Sequence, residues 1–338
     1  MTEIRTLGRT GVPVSPFTLG TMNFGGPQEP GESIRIIRRA IDAGITVVDT
    51  ADVYSQGASE EVVGRALEGR RDEVFLATKF HGRIGDDPRH AGNSRWWISQ
   101  AVEDSLRRLG TDHIDLYQAH RPDPSTDLLE TIQTLNDLIH QGKIRYYGTS
   151  VFPAHQQVEA HWLAAEHGLI APHTQQVPYS LLVRGVEREV LPVARRYGEG
   201  VLTYGPLAAG WLSGKYRVGA GQPESARAGL IPGRFDVTAE QNGPKLAAAD
   251  ALAVLAAENG LALTDLATAF ALNHPAVSSV IIGPRTADHL DAYLAAADVR
   301  LDADVLDRID GIVSPGTQFH DRDTGVDTPS LQPAALRR

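Results

Sequence analysis

The chain has 338 residues, 42% hydrophobic, 22% charged and 6% aromatic, which is enough apolar material for a sizeable core and too much for a disordered chain. Its formal net charge of −10 argues against the basic surface through which nucleic-acid binders gain most of their affinity, and no nucleic-acid partner is expected. The absence of cysteine excludes disulfides, thiolate nucleophiles and cysteine-ligated metals.

Short β-type runs alternate with amphipathic helical patterns along the chain, the signature of a parallel sheet built from βα units. Residues 4–7 and 12–15 read as a hairpin around a turn at 8–11. A strand at 17–19 leads through a glycine-rich loop to a helix at 32–42, ended by Gly44. Strand and helix then pair at 45–48 with 60–67, 74–77 with 94–109, 114–117 with 127–140, and 144–147 with 154–167. The pattern continues at 174–177 with 187–197, 201–203 with 246–258, and 280–282 with 287–296. Eight such units predict an α/β fold of the closed (β/α)8 TIM-barrel type. We read 1–338 as a single domain: hairpin cap 4–15, barrel 17–300, and a C-terminal tail 301–338 that has no period beyond about residue 311. The segment 204–241 after the seventh strand is rich in Gly, Pro and Ser, and its length marks it as a binding loop or cover. No apolar run approaches the roughly 20 residues that span a bilayer. Glu3, Arg5 and Arg9 interrupt the stretch where a signal peptide would be apolar. A soluble, cytoplasmic protein with no membrane partner is expected.

In such a barrel the residues just past the carboxyl ends of the strands share one mouth, and catalytic groups come from several strands. Here the runs VVDTADVYS, VFLATKF, IDLYQAHRPD, RYYGTSVF and TQQVPYS place Asp49 and Tyr54, Lys79, His120, Ser150 and Gln176 at or just beyond strand ends. Each has an ordinary structural explanation taken alone: a helix cap, a rim aromatic, an ion-pair partner, a barrel-mouth histidine. Together they bring an acid, a phenol, an amine and an imidazole to one cavity. Lysine is rare in this chain, found at Lys79, Lys143, Lys215 and Lys245. An ammonium beside a tyrosine favours the phenolate, so Lys79 is expected to lower the Tyr54 pKa from its free value near 10. Each unit of lowering corresponds to about 1.4 kcal/mol.

The segments GTMNFGG, VVDTADVYS, ATKF, LYQAHRPDP, GKIRYYGTS, TYGPLAAGWLSGKY and SVIIGPRTADHL resemble the successive signatures of the aldo-keto reductases, in order, from residue 17 to about 300. The resemblance implies an eightfold barrel that binds a nicotinamide dinucleotide without a Rossmann domain and reduces an aldehyde or ketone by hydride delivery. It assigns Tyr54 as proton donor, Lys79 as the group tuning it, Asp49 as the carboxylate paired with Lys79, and His120 as the residue orienting the carbonyl. For the cofactor it implies Thr21, Met22, Ser150 and Gln176, stacking by Tyr204, and a pyrophosphate under the loop 205–215 with Gly205, Pro206, Leu207, Gly210, Leu212 and Lys215. Near the last strand it implies Gly283, Arg285 and His289. Arg285 would suit the 2′-phosphate of NADPH (NADP+), since a planar guanidinium binds oxyanions bidentately; NADH is the alternative.

The chain departs from the family at Val151, where asparagine is common, and at His289 and Tyr293, where glutamine and asparagine are usual; these changes remove amide and adenosine contacts. Loop position makes Phe24, His81, Arg121 and Trp211 candidate substrate residues, while Trp96 and Trp97 read as packing residues. No metal is expected, because alternation puts His113 and Asp115 on one strand face and His120 past its end. The expected partner is a small-molecule carbonyl substrate, with the oligomeric state open. Two alternatives remain: a pathway-dedicated reductase of a keto sugar or secondary metabolite, and a cofactor-sensing regulatory subunit with vestigial turnover. The lack of an evident N-terminal docking extension weighs against the second.

Overall fold

Eight parallel strands close into a barrel in a computed structural model that describes residues 3–26, 29–224, 231 and 233–324. After a two-stranded antiparallel hairpin of β1 (Arg5–Thr6) and β2 (Pro13–Val14), the barrel takes β3 (Phe17–Gly20), β4 (Val47–Asp49), β5 (Phe75–Phe80), β6 (Ile114–Ala119), β7 (Ile144–Ser150), β8 (Thr174–Pro178), β9 (Gly200–Tyr204) and β10 (Val277–Ile282) in sequential order, with β10 returning to β3. The helices between them are α1 (Pro30–Asp42), α2 (Ala58–Ala66), α3 (Arg95–Leu109), α4 (Leu128–His140), α5 (Ala154–Glu166), α6 (Val190–Tyr197), α7 (Gly243–Glu258) and α8 (Leu263–Asn273), followed after the last strand by α9 (Ala287–Ala296) and α10 (Ala303–Ile312). The expected (β/α)8 barrel with its hairpin is the observed fold.

Local chemistry sets the helix boundaries. The Glu29 carboxylate accepts from the Gly31 and Glu32 amides ahead of α1, Ser94 Oγ accepts from Trp97 N ahead of α3, and Asp127 accepts from Leu129 N ahead of α4. These caps satisfy amides that a first helical turn leaves without partners. Gly110 ends α3 in a left-handed conformation at φ 63°, the usual glycine stop.

The chain forms two compact units. The first comprises 1–176, 189–202 and 276–297, and it holds most of the barrel wall. Leu19, Val47, Leu76, Leu116 and Val280 are buried along its strands. At the amino end of β6, Asp115 accepts from the Leu76 amide at 2.8 Å, from Arg71 at 2.8 Å and from Arg145 at 2.7 Å, which ties β5, β6 and β7 together. The hairpin seats on β9 through Gly8, where an added Cβ would lie 2.3 Å from Gly200 N.

The second unit comprises 177–188, 203–275 and 298–338, with α7, α8 and α10. The rings of Trp211 and Tyr216 stack at 4.4 Å, with Phe235 6.3 Å from Trp211. Beside them the buried Lys245 pairs with Asp323 at 2.5 Å and stands 5.4 Å from the Trp211 ring centre.

Several expectations are corrected. Helix α8 falls between the expected elements, and α10 lies in the first part of the tail 301–338, ahead of the aperiodic stretch expected beyond about residue 311. The segment 313–324 carries ordered contacts, including Asp323, while 325–338 lie outside the described residues. Seven of the barrel strands run one to three residues beyond their expected carboxyl ends, because polar residues such as Lys79 and Ser150 stay in the ladder, while β10 ends where expected and starts three residues earlier. Trp97 is packed as expected, but Trp96 is 53% exposed, since neighbouring helical positions point about 100° apart.

Gly8 adopts φ +55°, and any side chain there adds a left-handed penalty of about 1 kcal/mol to the close approach. A Gly8→Ala variant is therefore expected to lose at least that much stability in urea unfolding, whereas Gly11→Ala, with open space around its Cβ position, should lose only the backbone penalty.

Candidate active site

The carboxyl ends of β4, β5 and β6 place a buried cluster in the first unit. Ladder register puts Asp49 beside Ala77, Lys79 beside Gln118, and Ser150 beside Gln176. Lys79 has no exposed surface, and its Nζ donates to Asp49 Oδ2 at 2.6 Å and to the Thr50 carbonyl at 2.7 Å. The other carboxylate oxygen, Asp49 Oδ1, accepts from Gln176 Nε2 at 3.0 Å and Gln118 Nε2 at 3.4 Å. Both members of the ion pair are thus hydrogen-bonded at more than one point, as a charge pair removed from water requires. Thr21 lies under this arrangement, its hydroxyl 3.2 Å from the Asp49 carbonyl and 3.0 Å from Ser59 Oγ.

Tyr54 stands over the pair. The Lys79 ammonium is 5.2 Å from the centre of its ring, and the His120 ring meets it edge-on at 5.8 Å. The turn that carries it, Tyr54–Gly57, holds Ser55 at φ 49° and Gln56 at φ 55°, left-handed values that cost L-residues about 1–2 kcal/mol each. Such strain persists only where surrounding contacts over-determine it. Here Ser55 Oγ donates to the Phe24 carbonyl at 3.3 Å, Gln56 Oε1 accepts from Gly85 N at 2.9 Å, and Gln56 Nε2 donates to the Arg83 carbonyl at 3.4 Å. From behind, Arg108 packs on Gly57 and donates to the buried Glu60 at 2.7 Å, which also accepts from Thr78 at 2.6 Å. Gly25 closes the approach from the first loop, where a Cβ would come within 2.5 Å of the Ala58 carbonyl carbon.

The electrostatics differ from expectation at one point. Burial raises the Tyr54 pKa above the ordinary phenol value; Lys79 pulls downward, as does Arg121, but burial together with Asp49 outweighs them. The expected lowering is therefore outweighed, because the same wall that brings the ammonium close also removes water from the phenol. Burial acts to lower Lys79, yet the charges of Asp49 and Tyr54 overcome it and hold its pKa above the usual lysine value. His120 is driven well below the usual imidazole value by burial and by Lys79, Arg121 and His81, so it is neutral at pH 7. The site consists of a protonated phenol, a neutral imidazole and a compensated ammonium.

Other candidates fall in different places. His81 and Arg121 lie at the mouth, half-buried, and are joined through Asn93. Ser150 Oγ is buried with no hydrogen-bond partner among the described residues. Phe24 has no exposed surface, and Met22 is 55% exposed. Gly283, Arg285 and His289 are exposed around the start of α9, which Thr286 caps by accepting from His289 N, while Tyr293 packs edge-on against Phe17 at 6.4 Å.

In the second unit, Tyr204 ends β9 half-buried, Lys215 is exposed and Trp211 is wholly buried in its aromatic stack. Within the loop 205–215 the amides of Ala208, Gly210, Trp211, Leu212 and Ser213 already donate to the loop's own carbonyls.

Two residues escaped the sequence reading. Gln118 shares the inward face with Lys79, and counting alternation back from His120 would have found it. Asp52 is fully buried and no side chain among the described residues pairs with its carboxylate; burial and the charge of Glu60 hold its pKa well above the usual carboxylate value. Nothing in its local spacing signals that.

The fold is a closed (β/α)8 barrel with an acid, an amine, a phenol and an imidazole gathered at or just beyond the carboxyl ends of its strands. The model of the aldo/keto reductase family matches residues 16–314, and the chain belongs to that family. It is 37% identical over 323 residues, covering 92% of this chain and 95% of the other, to an uncharacterized oxidoreductase, YrpG, of Bacillus subtilis (strain 168). It is 35% identical over 319 residues, 92% of this chain and 96% of the other, to a probable voltage-gated potassium channel subunit beta of Oryza sativa subsp. japonica. A putative subunit of the same description in Schizosaccharomyces pombe (strain 972 / ATCC 24843) is 33% identical over 323 residues, 92% of this chain and 93% of the other. The family is one of oxidoreductases acting on carbonyl groups, generally with a nicotinamide dinucleotide, and that class of activity comes with membership.

Breaking a buried ion pair from one side leaves an uncompensated charge and costs about 3–5 kcal/mol. Asp49→Leu and Lys79→Met are each expected to lose stability of that order in chemical denaturation, and the double variant is expected to recover most of it.

Proposed function

We propose that the protein reduces an aldehyde or ketone to the alcohol, with Tyr54 as proton donor and NADPH as reductant. The observation that carries this reading is the Lys79–Asp49 pair set beneath a protonated phenol and beside a neutral imidazole. Reduction builds negative charge on the carbonyl oxygen, and donors aimed at that charge stabilise the transition state more than the ground state. When bound, the dinucleotide supplies the hydride. His120, neutral, donates a hydrogen bond that orients the carbonyl. The Tyr54 proton passes to the carbonyl oxygen as the new O–H bond forms, and the phenolate left behind is stabilised by the Lys79 ammonium until a solvent proton replaces the one transferred. Asp49 keeps Lys79 charged and fixed.

The residues fit a nicotinamide. The orphaned Ser150 hydroxyl at the end of β7 has the hydrogen-bonding capacity that a carboxamide would satisfy. Arg285 supports NADPH by its capacity for a bidentate phosphate contact; the roles of Tyr204 and the loop 205–215 rest on resemblance alone. A regulatory subunit with little turnover is a second reading, supported by the descriptions of the rice and fission-yeast relatives. Cofactor binding with negligible turnover on a broad aldehyde panel would favour it.

Tyr54→Phe should lower turnover by about 10²–10⁴-fold, the usual scale for general acid catalysis, with dinucleotide affinity retained in fluorescence titration. Wild-type turnover after that loss would sink the assignment. For the intact enzyme the rate should stay level through neutral pH and fall only as pH rises past the raised Tyr54 pKa, because the donor must be protonated. His120, already neutral, should add no step near its free value of about 6.5.

Val151 sits at φ 51°, held there as its amide donates to the Gln176 carbonyl at 2.9 Å. Left-handed backbone is a genuine outlier for a β-branched residue and far easier for asparagine. Val151→Asn trades buried apolar surface against relief of strain, each worth about 1–2 kcal/mol. Unfolding stability should therefore change little, while NADPH affinity rises through a restored amide contact; an unaltered dissociation constant would remove Val151 from the cofactor's surroundings.

A further inference from the structure

We propose that Arg121 forms an anion-binding subsite beside the carbonyl position and that the substrate is an aldehyde or ketone bearing a carboxylate. The inference rests on the carbonyl-reductase reading and names the substrate class of that same site.

Arg121 directly follows His120 at the end of β6. Its Nη1 donates to the His120 carbonyl at 2.6 Å, which curls the guanidinium back over the residue that meets Tyr54. Among the described residues no carboxylate lies within ion-pair distance of it. Other partly buried arginines are treated differently: Arg71 pairs with Asp115, Arg108 with Glu60, and Arg184 with Glu187 and Asp310. The nearest acidic residue in sequence, Asp123, is engaged elsewhere. Its carboxylate accepts from the Asn93 amide at 2.8 Å, from Ser125 N at 3.0 Å and Oγ at 2.5 Å, and from Thr126 Oγ1 at 2.8 Å.

The guanidinium's surroundings are fixed. Buried Asn93 donates through Nδ2 to the Arg121 carbonyl at 2.9 Å, and its Oδ1 stands 3.0 Å from His81 Nδ1. Because that oxygen can only accept, His81 must donate from Nδ1, leaving Nε2 an acceptor in the neutral ring. His81 itself is held at φ 116°, a strained value of the kind that marks functional positions. Arg121 is near enough that its charge bears on Tyr54, His81 and His120.

Charge arithmetic then points to an anion. Asp49 cancels Lys79, both imidazoles are neutral, and the ionised Asp123 is held by amides and hydroxyls rather than by Arg121, so the guanidinium keeps a charge-assisted face that no carboxylate among the described residues occupies. A carboxylate matches the planar fork and forms paired charge-assisted hydrogen bonds. Bound there, it would hold the adjoining carbonyl toward His120 and Tyr54.

The test compares 4-carboxybenzaldehyde with its neutral amide, 4-carbamoylbenzaldehyde, using the full chain and NADPH. The ratio of their kcat/KM values should fall by about tenfold or more in Arg121→Gln, on the scale of one lost charge-assisted contact, mainly through KM, and be partly retained in Arg121→Lys. Calorimetric binding of the product 4-(hydroxymethyl)benzoate to the dinucleotide complex should weaken in parallel. An unchanged ratio, or a variant altered only in NADPH affinity, overturns the subsite. If neither aldehyde is turned over yet Arg121-dependent benzoate binding is seen, the subsite stands and the reductase reading falls; if that binding is also independent of Arg121, both fall.

Discussion

The ion pair between Lys79 and Asp49 is the constraint around which the mouth of this barrel is organised. An ammonium with no exposed surface is tolerable only when its charge is matched and its protons are engaged; Lys79 donates to Asp49 and to the Thr50 carbonyl, and the Asp49 carboxylate is engaged in turn, so the network spans four strands. Asp49 on β4 takes Lys79 from β5, Gln118 from β6 and Gln176 from β8. The same contacts that neutralise the lysine therefore lock the inner faces of those strands to one another, and the tyrosine and histidine above inherit a fixed platform. Shielding from water is what makes the pair strong, and it is also what raises the phenol's pKa. The phenol is thereby kept protonated through neutral pH.

Regular structure supplies the platform, and irregular backbone supplies the reach. Within the barrel wall the ladder is continuous, but Ser55, Gln56, His81 and Val151, all just beyond strand ends or in the following turns, take positive φ. Each is held by a specific hydrogen bond across to a neighbouring loop or strand. Strain so distributed is what aims side chains from separate loops at a common volume.

Much of this was legible in the linear chain because the physics is periodic. Alternation of apolar runs with helical patterns counted the βα units, and polar residues interrupting strand ends marked Asp49, Lys79, His120, Ser150 and Gln176. Gln118 was missed because it sits inside a strand, where a polar residue reads as noise unless its inward face is tracked. Helices α8 and α10 were missed because they lie outside the repeat, and α8 is buried along most of its length, which blurs the amphipathic stripe that announces a surface helix. The sign of the Tyr54 shift was not legible either: proximity of a charge can be read from a motif, whereas the degree of desolvation depends on residues brought in from several loops. Positive φ at Val151 likewise arises from pairing with β8, far along the chain.

The latch between Gln56 and the loop after β5 has an evolutionary reading. Among the described residues its amide is hydrogen-bonded to the Arg83 carbonyl and the Gly85 N–H, main-chain groups that ask for no particular side chain at Arg83 and for a left-handed residue at Gly85. Exposed positions of that loop such as Arg83 are consequently free to vary in side chain while the tyrosine's turn stays anchored, so the rim can change by point mutation without unseating Tyr54.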